Sequence, residues 1–298
     1  MRIAIAGLAT SHPYTDARTL AEHADLVVSE PDTARLERFL TEHPDATVVN
    51  DLPALLAEKP DGVVLTVPTP EIPGALAEVL DADLPCFVNK PAAATSAGLA
   101  ALRRVVERAP HRVLSSSVLR FAPGYAGFQV PRDEVLSVRA TVRHDVSLWA
   151  TGYNPWQDDP AIGGGTLVMM GLHGVELLVA LLGPAVRLVG AAATVRRHHG
   201  LRSEDTGVLS VQWDDGVPGI VEVLGVTDGE SYEVVVHTSG GGRRVLLSGG
   251  AEPEVALGYR ATIDAFLRMV AGAASPVPWE QTSAVLSVLT AARGRLAS

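Results

Sequence analysis

Six consecutive residues near the amino end, Gly7-Leu8-Ala9-Thr10-Ser11-His12, have the types and the placement to hold a phosphate. They follow the apolar run 3–6 and precede a helical pattern opened by Pro13, where a G-x-G-x-x-G turn belongs. In such a turn the first glycine makes the bend. The second lets a pyrophosphate approach the backbone, and the third lets helix and strand pack closely. Gly7 keeps the first place. Ala9 sets one methyl where phosphates pass, and His12 takes the third place, beside the positive end of the helix dipole. Two roles are open to His12: contact with a cofactor phosphate or the substrate, or helix capping in a site that holds no dinucleotide. Thr10 and Ser11 either offer hydroxyls to phosphate or cap the helix. Glu30 lies 23 residues after Gly7, at the end of the second apolar run. An acid there accepts hydrogen bonds from an adenosine ribose, and its charge repels a 2′-phosphate. NAD is therefore expected over NADP; the plain alternative is a solvated turn acid.

The elements that must position these residues alternate regularly over the first 118 positions. Apolar runs at 3–6, 26–29, 47–49, 63–67, 86–88 and 113–116 read as parallel strands covered on both faces. Helical patterns fall between them at 13–23, 32–42, 53–58, 71–82 and 95–109, with start signals at Pro13, Asp51-x-Pro53 and Thr95-Ser96. Repeated strand–helix units predict a doubly wound parallel sheet of the Rossmann type over residues 1–118.

After Arg120 the texture changes. Residues 135–146 alternate strictly, which predicts a half-buried strand with Val138, Ala140, Val142, His144 and Val146 on its apolar face. That placement makes His144 more simply a core residue. Gly163-Gly164-Gly165 then feeds one apolar helix over 166–182, and strand-like runs follow at 186–195, 207–213, 218–226, 231–238 and 243–248. Helices at 258–271 and 280–296 close the chain. Residues 119–298 thus read as an α+β domain with a large, mostly antiparallel sheet for substrate binding and oligomerisation. Its helices cover one face, so a second copy is expected on the other, as homodimer or homotetramer.

Composition narrows the function. The 298 residues carry a formal net charge of −10, which repels nucleic acid backbones. A single cysteine, Cys86, allows no internal disulfide and fits a cytoplasmic setting. The start reads as a buried strand rather than a secretory signal. The 167–182 stretch is interrupted by Gly171, His173, Gly174 and Glu176 and is short for a bilayer, so no membrane is expected. His198-His199 has no partner at ligand spacing, and no metal site is expected.

Four further segments carry a resemblance. Val64-Leu65-Thr66-Val67-Pro68-Thr69-Pro70 resembles the T-P segment, and Val88-Asn89-Lys90-Pro91 the E-K-P motif, of the glucose–fructose oxidoreductase / inositol dehydrogenase (Gfo/Idh/MocA) family. Arg120-Phe121-x-Pro123 is similar to its R-F-x-P junction. Residues 163–173 are similar to its G-G-G-x-L-x-D-x-G-x-H helix, with Met169 in the aspartate position. Order and spacing cover about residues 1–295.

The resemblance implies an NAD-dependent oxidoreductase acting on a sugar, cyclitol or related small polar ketone or imine. It implies that Thr66, Val67, Pro68 and Asn89 lie along the cofactor. Lys90 would contact both cofactor and reacting oxygen, and His173 would be the general acid/base. A thioether at Met169 replaces neither the hydroxyl binding nor the support of His173 that the aspartate provides. Glu176, one turn on, either orients His173 or satisfies a buried contact. Arg120, His144, Trp149, Tyr153 and Trp156 approach the substrate cleft in the family. Two alternatives accompany this reading: a ligand-binding sensor or pseudo-enzyme without redox turnover, and an enzyme using bound NAD transiently for elimination or epimerisation.

Overall fold

The computed structural model describes residues 1–226 and 228–297. Six strands, β1 (Arg2–Ala6), β2 (Asp25–Ser29), β3 (Thr47–Val48), β4 (Gly62–Leu65), β5 (Cys86–Val88) and β6 (Val113–Leu114), form the first sheet. All are parallel, in the order β3-β2-β1-β4-β5-β6. The order reverses direction beside β1, and that switch point is where such sheets bind ligands. Ile5 pairs with both Val28 and Val64, so the apolar runs stack in register at the centre.

The crossovers are α1 (His12–Ala21), α2 (Thr33–Glu42), α3 (Leu52–Ala57), α4 (Ile72–Asp81) and α5 (Ser96–Val106). Asp32, Asp51 and Thr95 cap α2, α3 and α5 by accepting backbone N–H bonds, and each stands at or next to a start read from sequence.

The second sheet is built from β7 (Val135–Arg143), β8 (Val186–Thr194), β9 (Thr206–Trp213), β10 (Pro218–Leu224), β11 (Ser231–Thr238) and β12 (Gly241–Ser248). Its order is β12-β11-β7-β10-β9-β8, with only the β7–β10 pair parallel. The period-two pattern buries Val138, Ala140, Val142, Leu209, Val221, Val223, Tyr232 and Val234 on one face. Leu136, Val189, Val208, Ile220 and Leu246 stay exposed.

Four short helical turns, α6 (Pro123–Ala126), α7 (Ser147–Ala150), α8 (Pro155–Asp158) and α9 (Gly165–Met169), lead into α10 (Gly171–Leu182). The single helix expected over 166–182 is therefore two. They meet at Met170, which ends α9 and caps α10 at φ −100° and ψ −37°. This stretch is apolar enough to cross a membrane by composition, but 83% of it is buried inside the protein. A Cβ at Gly174 would meet Val221 at 2.5 Å, so glycine lets α10 lie close on the sheet.

The chain ends in α11 (Pro253–Ala256), α12 (Tyr259–Val270) and α13 (Trp279–Leu296). The strands of the two sheets fall on either side of the expected division at 118/119, while α12 crosses it. Ile263, Phe266 and Met269 join Ile3, Ile5, Val64 and Phe87 in one apolar cluster of the first domain.

Candidate active site

Gly7 turns the chain after β1 at φ +85°, and a Cβ there would collide with the Thr66 carbonyl oxygen. The loop is then tied down from three sides. Gly7 N–H donates to the Ser29 carbonyl at 2.8 Å, and Ala9 N–H to the Thr66 carbonyl at 3.1 Å. Leu8 N–H donates to Glu30 Oε2 at 2.5 Å, while Glu30 Oε1 accepts from Asp32 N–H at 2.9 Å. Glu30 is buried and holds the loop to β2, so its carboxylate does not face the cavity at this edge. The expectation of a ribose-facing Glu30 is corrected accordingly. The residue alternation at the end of β2 sends Ser29 and Pro31 into that cavity and Glu30 to the other side.

The cavity, about 610 Å³, opens between the ends of β1, β2 and β4. Gly7, Leu52, Val67 and Pro70 line it, together with the carboxylates of Asp51, Glu71 and Glu78. At the start of α1, Thr10 is buried and Ser11 exposed, and the Ser11 side chain makes no cap bond to the helix. Thr10 Oγ1 instead accepts from His12 N–H at 3.3 Å.

The second cavity, about 470 Å³, lies where the carboxyl edge of the first sheet meets the second domain. Lys90 reaches it from the end of β5, preceded by Asn89. Asn89 donates from Nδ2 to Thr66 Oγ1 at 3.3 Å and accepts from Lys90 N–H at 3.0 Å, so it shapes the loop and does not line the cavity. Lys90 Nζ donates to the Met169 carbonyl at 3.4 Å. Burial drives the Lys90 ammonium down to about 8, against an opposing pull from the Glu230 carboxylate.

His173 comes from the first turn of α10. Its Nδ1 shares a 2.6 Å hydrogen bond with Ser117 Oγ, which leaves Nε2 for proton transfer. Burial, then the Lys90 charge, holds this imidazole well below its usual value, so it is neutral near pH 7. Glu176 does not orient it: its Oε1 accepts from Ser116 Oγ at 2.9 Å and from Arg120 Nη1 at 3.0 Å. Arg120 is thereby committed to Glu176 and does not line the cleft.

His12 also faces this cavity. Its ring lies 5.3 Å from that of Tyr259, and its buried Nδ1 has no hydrogen-bond partner among the described residues. Burial, then the Lys90 charge, keeps it neutral as well.

Trp149 lines the cleft as expected from its segment, and so does Tyr153. His144 lines it too, against the core placement read from alternation. The strand stops at Arg143, and the inward parity that buries Val142 carries His144 past the sheet into the cavity. Met169 is buried and turned away, while Met170 lines the cleft because the helix breaks there. Sequence reading missed Ser117, Met170, Glu230, Tyr232 and Tyr259. Met170 falls at a variable position of the 163–173 motif, Ser117 at the end of the first domain, and Glu230, Tyr232 and Tyr259 reach the site through the second domain's packing.

The residues present fit a dinucleotide at its two ends and constrain it in the middle. One cavity has room for an adenosine and the other for a nicotinamide with substrate. Between them Trp156 Nε1 donates to the Ala9 carbonyl at 3.2 Å. Asn154 Oδ1 accepts from Arg35 Nη2 at 2.9 Å, and Thr69 Oγ1 donates to the Ile162 carbonyl. The 154–162 segment therefore sits over the glycine loop.

The sequence model of the GFO/IDH/MocA C-terminal domain matches residues 133–243, the second sheet through β11 and into β12. Over those residues the chain is similar to the GFO/IDH/MocA family. Myo-inositol dehydrogenase Hyg17 of Streptomyces leeuwenhoekii is 26% identical over 269 residues, 83% of this chain and 81% of its own. The solved structure of GenD2 from gentamicin A biosynthesis, in complex with NAD, superposes with a TM-score of 0.82 at 21% identity. That match covers 100% of this chain and 94% of GenD2. The scyllo-inositol dehydrogenase of Lactobacillus casei gives 0.83 at 15% identity, covering 99% and 95%. The fold of these two structures is thus shared over nearly the whole chain.

Proposed function

We propose that this protein is an NAD-dependent oxidoreductase acting on a sugar, cyclitol or related small polar ketone or imine. The observation that carries the reading is Lys90 and neutral His173 in one enclosed cleft at the carboxyl edge of the first sheet. The dehydrogenase names of its relatives support the same class.

A dinucleotide held at that edge would supply or accept hydride. The chain's own residues do the rest. The Lys90 ammonium donates to the reacting oxygen, lowering the pKa of a hydroxyl or polarising a carbonyl. His173 takes or returns the proton at Nε2 while Ser117 fixes the ring. Gly7, Ala9, Thr10, Ser11, His12, Thr66, Val67 and Pro68 would run beside the cofactor. Asp51, Glu71 and Glu78 around the adenosine-sized cavity favour NAD over NADP, since three carboxylates repel a 2′-phosphate.

The Trp156 bond over Ala9 and the inward-turned Glu30 favour a second reading, a ligand-binding protein without redox turnover. Titration of the purified protein with NADH and NADPH separates the two. Micromolar NADH binding, weaker for NADPH, followed by NAD reduction with an inositol or sugar panel, supports the enzyme. No binding by the folded protein leaves the non-redox reading.

The exposed apolar stripe of Leu136, Val208, Ile220 and Leu246 supports a homodimer or homotetramer through the open sheet face. Light scattering on the eluting protein tests it, and a monomer at micromolar concentration would refute it. The buried lone Cys86 fits a cytoplasmic setting.

A further inference from the structure

The cleft contains a carboxylate that no motif points to. Glu230 precedes β11, whose register pairs Ser231 with Arg143 and Tyr232 with Val142. Continued by one step, that register sets Glu230 opposite His144. Both have the parity that faces inward, so both emerge from the sheet into the cavity.

Their contacts follow. Glu230 Oε1 accepts from the Tyr232 hydroxyl and lies 3.7 Å from His144 Nδ1. His144 Nδ1 has no hydrogen-bond partner among the described residues. Tyr232 in turn lies ring to ring with His173, with centroids 5.2 Å apart. The Glu230 side chain is 33% exposed, and that exposure faces the cleft. The neighbouring acids are otherwise engaged. Asp145 accepts from Ser147 N–H at 2.9 Å and from Ser147 Oγ at 2.8 Å, and Glu176 is held by Ser116 and Arg120.

Given the oxidoreductase reading, on which this rests, we propose that Glu230 is the substrate-binding carboxylate of the cleft and that its pair with His144 selects a polyol bearing adjacent hydroxyls. The carboxylate accepts a hydrogen bond from one hydroxyl, and His144, whose buried Nδ1 lies against Glu230, offers Nε2 to the neighbouring hydroxyl. Glu230 thereby supplies, from the start of β11, the carboxylate that position 169 lacks. A simple ketone or imine without a flanking hydroxyl leaves Glu230 with the Tyr232 hydroxyl alone and His144 without a substrate partner, which disfavours it.

The test uses full-length protein, wild type, Glu230→Gln and Glu230→Asp, with myo-inositol and scyllo-inositol as probes. Binding of each inositol is measured by calorimetry with NADH present and absent. Glutamine keeps the length and an acceptor for the Tyr232 hydroxyl, so melting temperature and NADH affinity are expected to stay at wild-type values. Inositol affinity is expected to fall at least tenfold in Glu230→Gln and to recover in part in Glu230→Asp. In the absence of any ligand, NMR titration of His144, which faces Glu230, Lys90 and Asp145, is expected to show its pKa lowered in Glu230→Gln. Inositol binding unchanged by the substitution, or no inositol binding by wild type, overturns the proposal. Inositol binding that depends on Glu230 without NAD reduction upholds it and instead sinks the oxidoreductase reading.

Discussion

Ser117 Oγ and His173 Nδ1 are 2.6 Å apart, joining the junction between the domains to the first turn of α10. The serine is fully buried, and its oxygen also accepts from Leu119 N–H at 3.2 Å. The imidazole is thus oriented by a residue 56 positions away and not by its own helix. Ser117→Ala is expected to lower kcat about tenfold, the worth of one hydrogen bond holding a base in its working orientation. NADH affinity should stay unchanged. An unaltered kcat in steady-state assays would remove Ser117 from this role.

Lys90 makes a separate, pH-dependent prediction. Lys90→Ala should cut turnover by about 10²–10³ while NADH affinity changes little. Burial lowers the ammonium to about 8, so it is charged below that pH and neutral above it. Carbonyl reduction needs the charged donor. Its rate should therefore hold up to about pH 8 and fall beyond it, and Lys90→Arg should remove the fall. A flat profile to pH 9.5 in the wild type would contradict the assignment.

Asp16 offers a stability test away from catalysis. It is buried on α1, neither carboxylate oxygen has a hydrogen-bond partner among the described residues, and burial raises its pKa well above the carboxylate range. The folded state then holds a proton that the unfolded chain releases above pH ~4. Stability is lost as pH rises through that window. Asp16→Asn should raise the melting temperature at pH 7.5, by about 1–3 kcal/mol in stability. The gain should shrink toward pH 4. Equal gains at both pH values in thermal melts would refute the buried-proton account.

Trp156 tests the cover over the glycine loop. Trp156→Phe removes the indole donor to the Ala9 carbonyl and keeps an aromatic ring. Loss of about 0.5–1.5 kcal/mol from the closed arrangement should speed NADH association about two- to tenfold in stopped-flow fluorescence. A slower association would mean that the indole helps to receive the cofactor.

The first domain was legible because its strands are near-continuous apolar runs and its helices begin at Asp32, Asp51 and Thr95, which cap them. Lys90 and His173 could be found because they sit in spaced motifs. Other parts of the site were hidden for physical reasons. The break at Met170 falls beside Gly171 inside a long apolar run with no proline, so the run read as one helix and sent Met169 to the wrong place. His144 obeys alternation, but alternation does not say where a sheet ends. Glu230 looks like a turn acid until the register with β7 sets it opposite His144. Glu30 stands at the spacing of a ribose ligand, yet its carboxylate is used by the Leu8 and Asp32 amides.

The return of α12 to the first sheet bears on how the chain is made. The ribosome releases β1 to β6 first, at about 5–20 residues per second. Yet Ile5, Val64 and Phe87 wait for Ile263, Phe266 and Met269 to cover them. Until α12 emerges, one face of the nascent parallel sheet carries exposed apolar side chains. Synthesis from the amino end therefore yields a sheet that must be sheltered until α12 has been made.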